Sequence, residues 1–419
     1  MSDAPSHRPE ESFDLVIVGA GPAGVSTALH LVRADRRWAE RMVVLDRAVH
    51  PRDKLCGGGL TRSGEAVLAE LGLGALPRDV RISEMRLVFG DRGWAVHGDP
   101  VFRVVRRAEL DHWLVRAAQR EGIEVRQGER VEDVTVGADG VDVHTDKGSY
   151  RAAAVVGADG SNGTVRRRLG WDAGAHRAGL LEVLTPEEGL DEGPGAPAGA
   201  GGAAPGADPW RGVAVFDFTP MREGVRGYYW DFPSLVDGRP MMNRGVFDSR
   251  VAGPGPARSL KEVLADALAR RGRVLDERAL RGYPIRWFDP SARSAAERVV
   301  LVGDAAGADP LFGEGISFAL QHGRVAAAAL ADGFARGDLS FADYTHRQLA
   351  DPLLAHLPRR KRLAEAVYAL RGALGWWPLW ALVPWATQAL DRYRPGILPI
   401  EESRLERVRL PPVDLRSGA

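Results

Sequence analysis

The feature that most constrains this fold is a glycine-rich turn set between a buried strand and a helix. Residues 13–18 (Phe-Asp-Leu-Val-Ile-Val) form a short β-branched run of the kind buried in a parallel sheet. Gly19-Ala20-Gly21-Pro22-Ala23-Gly24 follows at once. The pattern then predicts a helix from about 23 to 32 and a second buried strand over 42–45, closed by Asp46. Strand, helix and strand in this order make a βαβ unit. In such a unit Gly19 permits the tight turn, Gly21 lets a pyrophosphate approach the backbone, and Gly24 lets helix and strand pack closely. The helix N-terminus offers free N–H groups to phosphate oxygens, and Asp46 stands where a carboxylate can accept from a ribose diol. A purely structural turn would not require the acid.

Further along, Leu110, Trp113, Leu114 and Ala117 recur at helical spacing over 107–120. Strand-like alternation follows at 131–136 and 141–144, and residues 153–157 form another buried run. A Gly/Ala/Pro tract at 187–209 predicts a loop with no core of its own. Residues 212–219 and 227–232 alternate like antiparallel strands, with Pro233 ending the second. Helices are predicted at 260–271 and 315–331, a buried strand at 298–302, and mostly helix over 341–390. The parallel-type strands are therefore dispersed along the chain. The fold class is α/β, with a discontinuous Rossmann-like domain from residues 1–80, 105–170 and 295–335. An antiparallel-sheet substrate domain, residues 81–104 and 171–294, is inserted into it, and residues 336–419 form a helical C-terminal region.

The 419 residues are enough for two or three domains. Lys and Arg number 56, as do Asp and Glu, so no electrostatic footprint argues for nucleic acid. Cys56 is the single cysteine, which excludes an intrachain disulfide and suits a reducing cytoplasm. The first dozen residues are polar and show no apolar secretory core.

Two later segments resemble the second and third nucleotide-contact motifs of the flavoprotein monooxygenase and reductase superfamily. They are Val155-Val-Gly-Ala-Asp159-Gly160 and Arg298-Val-Val-Leu-Val-Gly303-Asp304 through Pro310. The resemblance implies that the dinucleotide is FAD. It places Asp304 on the ribityl chain or ribose, and Pro310, Gly313, Gly315 and Ile316 in the turn and helix start that meet the flavin. Arg107, in the R-x-x-x-D pattern to Asp111, matches the superfamily arginine near the cofactor. Ala20, Pro22, Ala23, Arg47 and Val131 are implied cofactor contacts in the same way. A bare N-cap role for Asp304 is the plainer alternative. No second GxGxxG unit is visible, so the flavin would take electrons from a transiently bound NAD(P)H or another donor.

Pro51-Arg-Asp-Lys54-Leu-Cys56-Gly57-Gly58-Gly59-Leu60 resembles the lysine-x-cysteine-glycine-glycine segment of the geranylgeranyl reductase family. Tyr228-Tyr-Trp230-Asp-Phe232-Pro233 is similar to that family's Y-x-W-x-F-P signature. In a strand, Tyr228, Trp230 and Phe232 share one face and can form an aromatic wall for an apolar substrate; ordinary sheet core is the alternative. The resemblance makes Cys56 a proton donor or relay, though a lone thiol also serves as an inert small hydrophobe. Lys54 would contact FAD or a substrate head group, or be simply solvated. Gly57 and Gly58 would allow close approach to the isoalloxazine. The chain departs from the family in its Gly/Ala/Pro tract. It also departs in the spacing from Pro233 to Gly245, with Phe247 where a second glycine is expected.

At the C-terminus, Arg359-Arg-Lys-Arg362 precedes a tryptophan-rich, proline-interrupted stretch ending at Trp385, too short to span a bilayer. Residues 359–390 suit either peripheral contact with the inner face of a membrane or a helical cover over the substrate cavity. Taken with the resemblance, the sequence implies an FAD-dependent reductase that saturates C=C bonds of a polyprenyl or related isoprenoid. A flavin-dependent monooxygenase or halogenase is the alternative, and a membrane-docked electron carrier a third.

Overall fold

The structure, a computed structural model, describes residues 11–171, 177–186, 212–251, 253 and 258–369, and the backbone of 405–409. The tract at 187–209 and the tryptophan-rich segment at 374–385 lie outside the described residues. Five strands run parallel, in the order Val299–Leu301, Ser149–Gly157, Glu11–Val18, Met42–Asp46, Glu124–Gln127. The first four are the dispersed apolar runs read above; the edge strand, Glu-Val-Arg-Gln, carries too little apolar signal to be read as one.

Alternation along these strands separates two cores. Leu15, Ile17, Val44, Val156 and Val300 face the helices Pro22–Ala34, Arg107–Arg120 and Ile316–Arg336. Val16, Val18, Val43, Leu45 and Val155 face the opposite way, against the strands Val131–Val136 and Val141–Thr145. Burial on both faces explains why each central strand reads as a continuous apolar run.

A second sheet contains the strands Arg177–Pro186, Arg239–Asp248, Gly227–Val236, Gly212–Asp217, Asp79–Phe89 and Arg92–Val105, in that order. All these neighbours are antiparallel except Gly212–Asp217 with Asp79–Phe89. One face carries Phe102, Tyr228, Trp230, Phe232 and Phe247, and the helix His356–Ala369 packs there through Ala364 and Tyr368. The other carries Val183, Tyr229 and Val246 against the helix Leu260–Ala269.

Two expectations need correction. Pro233 does not end its strand, which continues to Val236. Pairing with Gly212–Asp217 stops at Val215 opposite Asp231, so no ladder bond is recorded on that side at Pro233. The C-terminal region is also not wholly helical. Leu405–Arg409 is a strand that adds antiparallel to Arg92–Val96, satisfying main-chain groups at an otherwise open sheet edge.

Candidate active site

The glycine turn is held by groups brought from either side. The Gly19 N–H donates to the Leu45 carbonyl at 2.7 Å, and the Ala20 N–H to Asp46 Oδ2 at 2.8 Å. Gly19 has φ +112°, and a Cβ there would lie 2.4 Å from the Ala158 oxygen. A Cβ on Gly24 would lie 1.9 Å from the Gly19 oxygen, so Gly24 serves helix–strand packing. Gly21 is different: a Cβ there meets only the guanidinium nitrogens of Arg52 and Arg107, at 3.9 and 4.0 Å. Gly21 and two cations thus face a common space, the chemistry a pyrophosphate requires.

That space is a cleft of about 760 Å³. Of the residues singled out in the sequence, Gly19, Gly21, Pro22, Ala23, Asp46 and Arg47 line it. Arg107, Val131, Asp159 and Gly160 line it as well. So do Lys54, Cys56, Gly57, Gly303, Asp304, Gly313, Gly315 and Ile316. Ala20, Gly24, Gly58 and Pro310 do not line it; they shape the turns behind. Gly58 has φ +85° and would bring a Cβ to 2.2 Å from the Val105 oxygen, while the Pro310 carbonyl accepts from Ser249 Oγ at 2.6 Å.

Several charges in the cleft are displaced by their surroundings. Burial acts to raise the Asp46 carboxyl, but the His50 ring 3.6 Å away and hydrogen bonds from the Ala48 and Ala20 N–H groups outweigh it and hold it below its ordinary value. Burial pushes Asp159 up to about 6. Its Oδ2 accepts from the Val165 N–H at 3.0 Å, and its buried Oδ1 has no partner. An orphaned carboxylate oxygen in a cleft shaped by the glycine turn fits a cofactor rich in hydroxyl and N–H donors. Lys54 lies with Nζ 3.1 Å from the Tyr283 ring centroid, and burial brings it down to about 8 against the opposing pull of Asp304. Burial raises the Cys56 thiol, with Arg107 pulling the other way.

The Cys56 loop joins the cleft to the aromatic face of the second sheet. A Cβ on Gly57 would meet the Phe232 ring at 3.1 Å and Trp230 Nε1 at 3.5 Å. Tyr228, Trp230 and Phe232 do share one face, with centroid separations of 6.3 and 6.2 Å. They stand behind the loop and outside the cleft lining. The Trp230 indole lies over Gly245, where a Cβ would come within 2.3 Å of it. The departure at Phe247 has a place too: its ring is buried, packs at 5.7 Å from Tyr228, and approaches Gly313.

The sequence reading missed four parts of this site. Arg52 pairs with Asp111 at 3.0 Å. Glu182 accepts from the Cys56 N–H at 3.1 Å. Asn243 donates to the Cys56 carbonyl at 3.1 Å. Arg360, buried on the helix His356–Ala369, bonds Asp309 at 2.8 Å and Glu314 at 2.9 Å and so clamps the turn before Ile316. The only signal available for Glu182 was a charged residue inside a largely apolar strand, and Asn243, beside Arg244, offered none. Among the described residues no cluster of acids, histidines and thiols could hold a metal, and no helix is long and apolar enough to cross a membrane.

Comparison with known proteins agrees with this geometry. A family described as FAD binding domain matches residues 12–235. The menaquinone reductase of Mycolicibacterium smegmatis is 32% identical over 335 residues, covering 76% of each chain. The digeranylgeranylglycerophospholipid reductase 2 of Methanopyrus kandleri is 29% identical over 352 residues, covering 78% of this chain and 79% of its own. In fold, the chain is similar to a geranylgeranyl bacteriochlorophyll reductase-like protein from Thermoplasma acidophilum. That match has a TM-score of 0.64 at 18% identity and covers 93% of this chain and 98% of the other. The glycine turn, the cleft behind it and these similarities converge: the chain belongs to the FAD-binding-domain family and is an FAD-dependent oxidoreductase.

Proposed function

We propose that this protein reduces C=C bonds in the isoprenoid chain of an apolar substrate, of the type that menaquinone or a geranylgeranyl lipid carries. The observation that carries this reading is the position of the Cys56-Gly57-Gly58 loop, with Cys56 and Gly57 lining the cleft and the Phe232 ring so near that a Cβ on Gly57 would lie 3.1 Å from it. FAD, when bound and reduced, supplies the hydride. The chain's own residues hold the reactants. Gly57 keeps the loop thin enough for an alkene to lie beside the cofactor, since any Cβ there would push against Phe232. Cys56 holds a proton on sulfur because burial keeps its thiol neutral, and it donates that proton to the carbon opposite the one that takes hydride. The fused aromatic cluster of Phe216, Tyr228, Trp230 and Phe232 backs the loop, with centroids 5.0 to 6.3 Å apart, and fixes its position. The domain division given above and the site residues named from the sequence are part of this proposal. So are electron supply by a nicotinamide or another donor, and membrane contact through 359–390.

The test is anaerobic. The FAD-loaded protein is reduced, then offered menaquinone or geranylgeranyl lipids while flavin absorbance and product mass are followed. Reoxidation of the flavin with stepwise gains of two hydrogens in the isoprenoid is the expected result. Rapid oxygen consumption stimulated by small aromatic compounds, with no gain of hydrogen, would instead support hydroxylation or halogenation.

A further inference from the structure

A carboxylate stands on the aromatic face of the second sheet. Along the strand Arg177–Pro186, Ala178 and Leu180 belong to the aromatic core while Leu181 and Val183 belong to the opposite one, which puts Glu182 on the aromatic side by alternation. Its register partner is Gly245, the residue over which the Trp230 indole lies. Burial raises Glu182 to about 7, against the opposing pull of Asn243, Arg106, the Cys56 N–H and Lys54. Such a group needs a reason to be there.

Its hydrogen bonds supply one. Glu182 Oε2 accepts from the Cys56 N–H at 3.1 Å and from Asn243 Nδ2 at 3.4 Å. Asn243 Nδ2 also donates to the Cys56 carbonyl at 3.1 Å, and its Oδ1 accepts from Trp230 Nε1 at 2.9 Å. Both main-chain polar groups of Cys56 are therefore held by one buried Glu–Asn pair, itself anchored to the aromatic wall. We propose that Glu182 is a positioning residue that fixes the Cys56 loop and whose negative charge, added to the effect of burial, helps hold the Cys56 thiol protonated. This rests on the reading of Cys56 as proton donor. The other charges facing the pair are Lys54 and Arg107 from the cleft side and Arg106 at the head of the helix Arg107–Arg120. Arg281, the exposed register partner of Glu182, lies on the outer strand. Lys54 and Arg107 favour the thiolate, and the Glu182 carboxylate opposes them.

Cys56 is the sole cysteine, so its chemistry can be read without background. In the FAD-loaded protein, the rate of alkylation by iodoacetamide is followed against pH by intact mass. The wild type should show a slow rise with a shoulder near 7, where Glu182 gains its charge, and a thiol midpoint above the ordinary cysteine value. Glu182→Gln should remove the shoulder, lower the midpoint and speed alkylation at mildly alkaline pH by roughly tenfold, about one pKa unit. Glu182→Asp should return the shoulder. A Glu182→Gln protein that keeps its flavin spectrum and melting temperature yet alkylates with the wild-type profile overturns the proposal. Should that variant lose FAD, a wild-type profile without the shoulder overturns it equally. Alkylation does not depend on turnover, so a protein that reduces no isoprenoid but shows this coupling sinks the proposed function alone.

Discussion

Arg107 grips the buried Asp111 carboxylate through two parallel hydrogen bonds, Nε to Oδ1 at 2.7 Å and Nη2 to Oδ2 at 2.8 Å. Arg52 reaches the same carboxylate at 3.0 Å. One acid thus ties two cations to the space beside Gly21. Asp111→Ala leaves a buried guanidinium without its counter-charge and should destabilise the protein by about 3–5 kcal/mol in chemical denaturation. Arg52→Met, with the Arg107 pair intact, should leave stability nearly unchanged and weaken FAD binding about tenfold, or ~1.4 kcal/mol.

The glycine turn should separate packing from binding. Gly24→Ala forces a Cβ into the Gly19 carbonyl and should lower the melting temperature of the cofactor-free protein. Gly21→Ala meets nothing closer than 3.9 Å within the chain, so that protein should melt as the wild type does. Its defect should appear only in FAD titration, as a loss of affinity of at least tenfold, or about 1.4 kcal/mol.

Cofactor affinity should be bell-shaped in pH. Burial holds the Asp159 carboxyl up to about 6 in the free protein, and a donor reaching its buried, unpartnered Oδ1 favours the charged form. Binding therefore releases a proton at acid pH, and affinity rises until about 6. Lys54 loses its charge above about 8, and with it the attraction for an anionic cofactor. Fluorescence titration of FAD should show both limbs. Asp159→Asn should flatten the acid limb and Lys54→Met the alkaline one.

The Arg360 clamp should matter to stability more than to chemistry. Arg360→Leu leaves the buried Asp309 and the partly buried Glu314 without their shared cation, a loss of about 3–5 kcal/mol in denaturation. Flavin release should precede global unfolding in that variant, because the clamped turn borders the cleft at Gly313 and Gly315. Adding Glu314→Gln should recover part of the loss.

Much of this protein was legible in its residues. Strands at the centre of the parallel sheet bury both faces, so Leu15–Val18 or Val299–Leu301 must be apolar throughout and announce themselves. Asp79–Phe89 is harder to read, because a register shift at Ile82/Glu84 breaks its alternation. Glu124–Gln127 sits at an edge and carries almost no signal. Within the site, Gly19, Gly21, Gly24 and Asp46 are local, since the turn and the strand that hold them lie within one βαβ unit.

The sequence alone determined that a dinucleotide turn exists, that its strands form a parallel sheet, and that three aromatic side chains share a face, because each follows from backbone sterics or from periodicity. Only the tertiary structure decided what surrounds Cys56. Glu182 and Asn243 lie 126 and 187 positions from it, and hydrogen bonds across such separations leave no periodic trace in a chain. The same holds for Arg360 on Asp309 and Arg52 on Asp111. Buried charge is placed by its partner, and the partner is fixed only when the sheets and helices close.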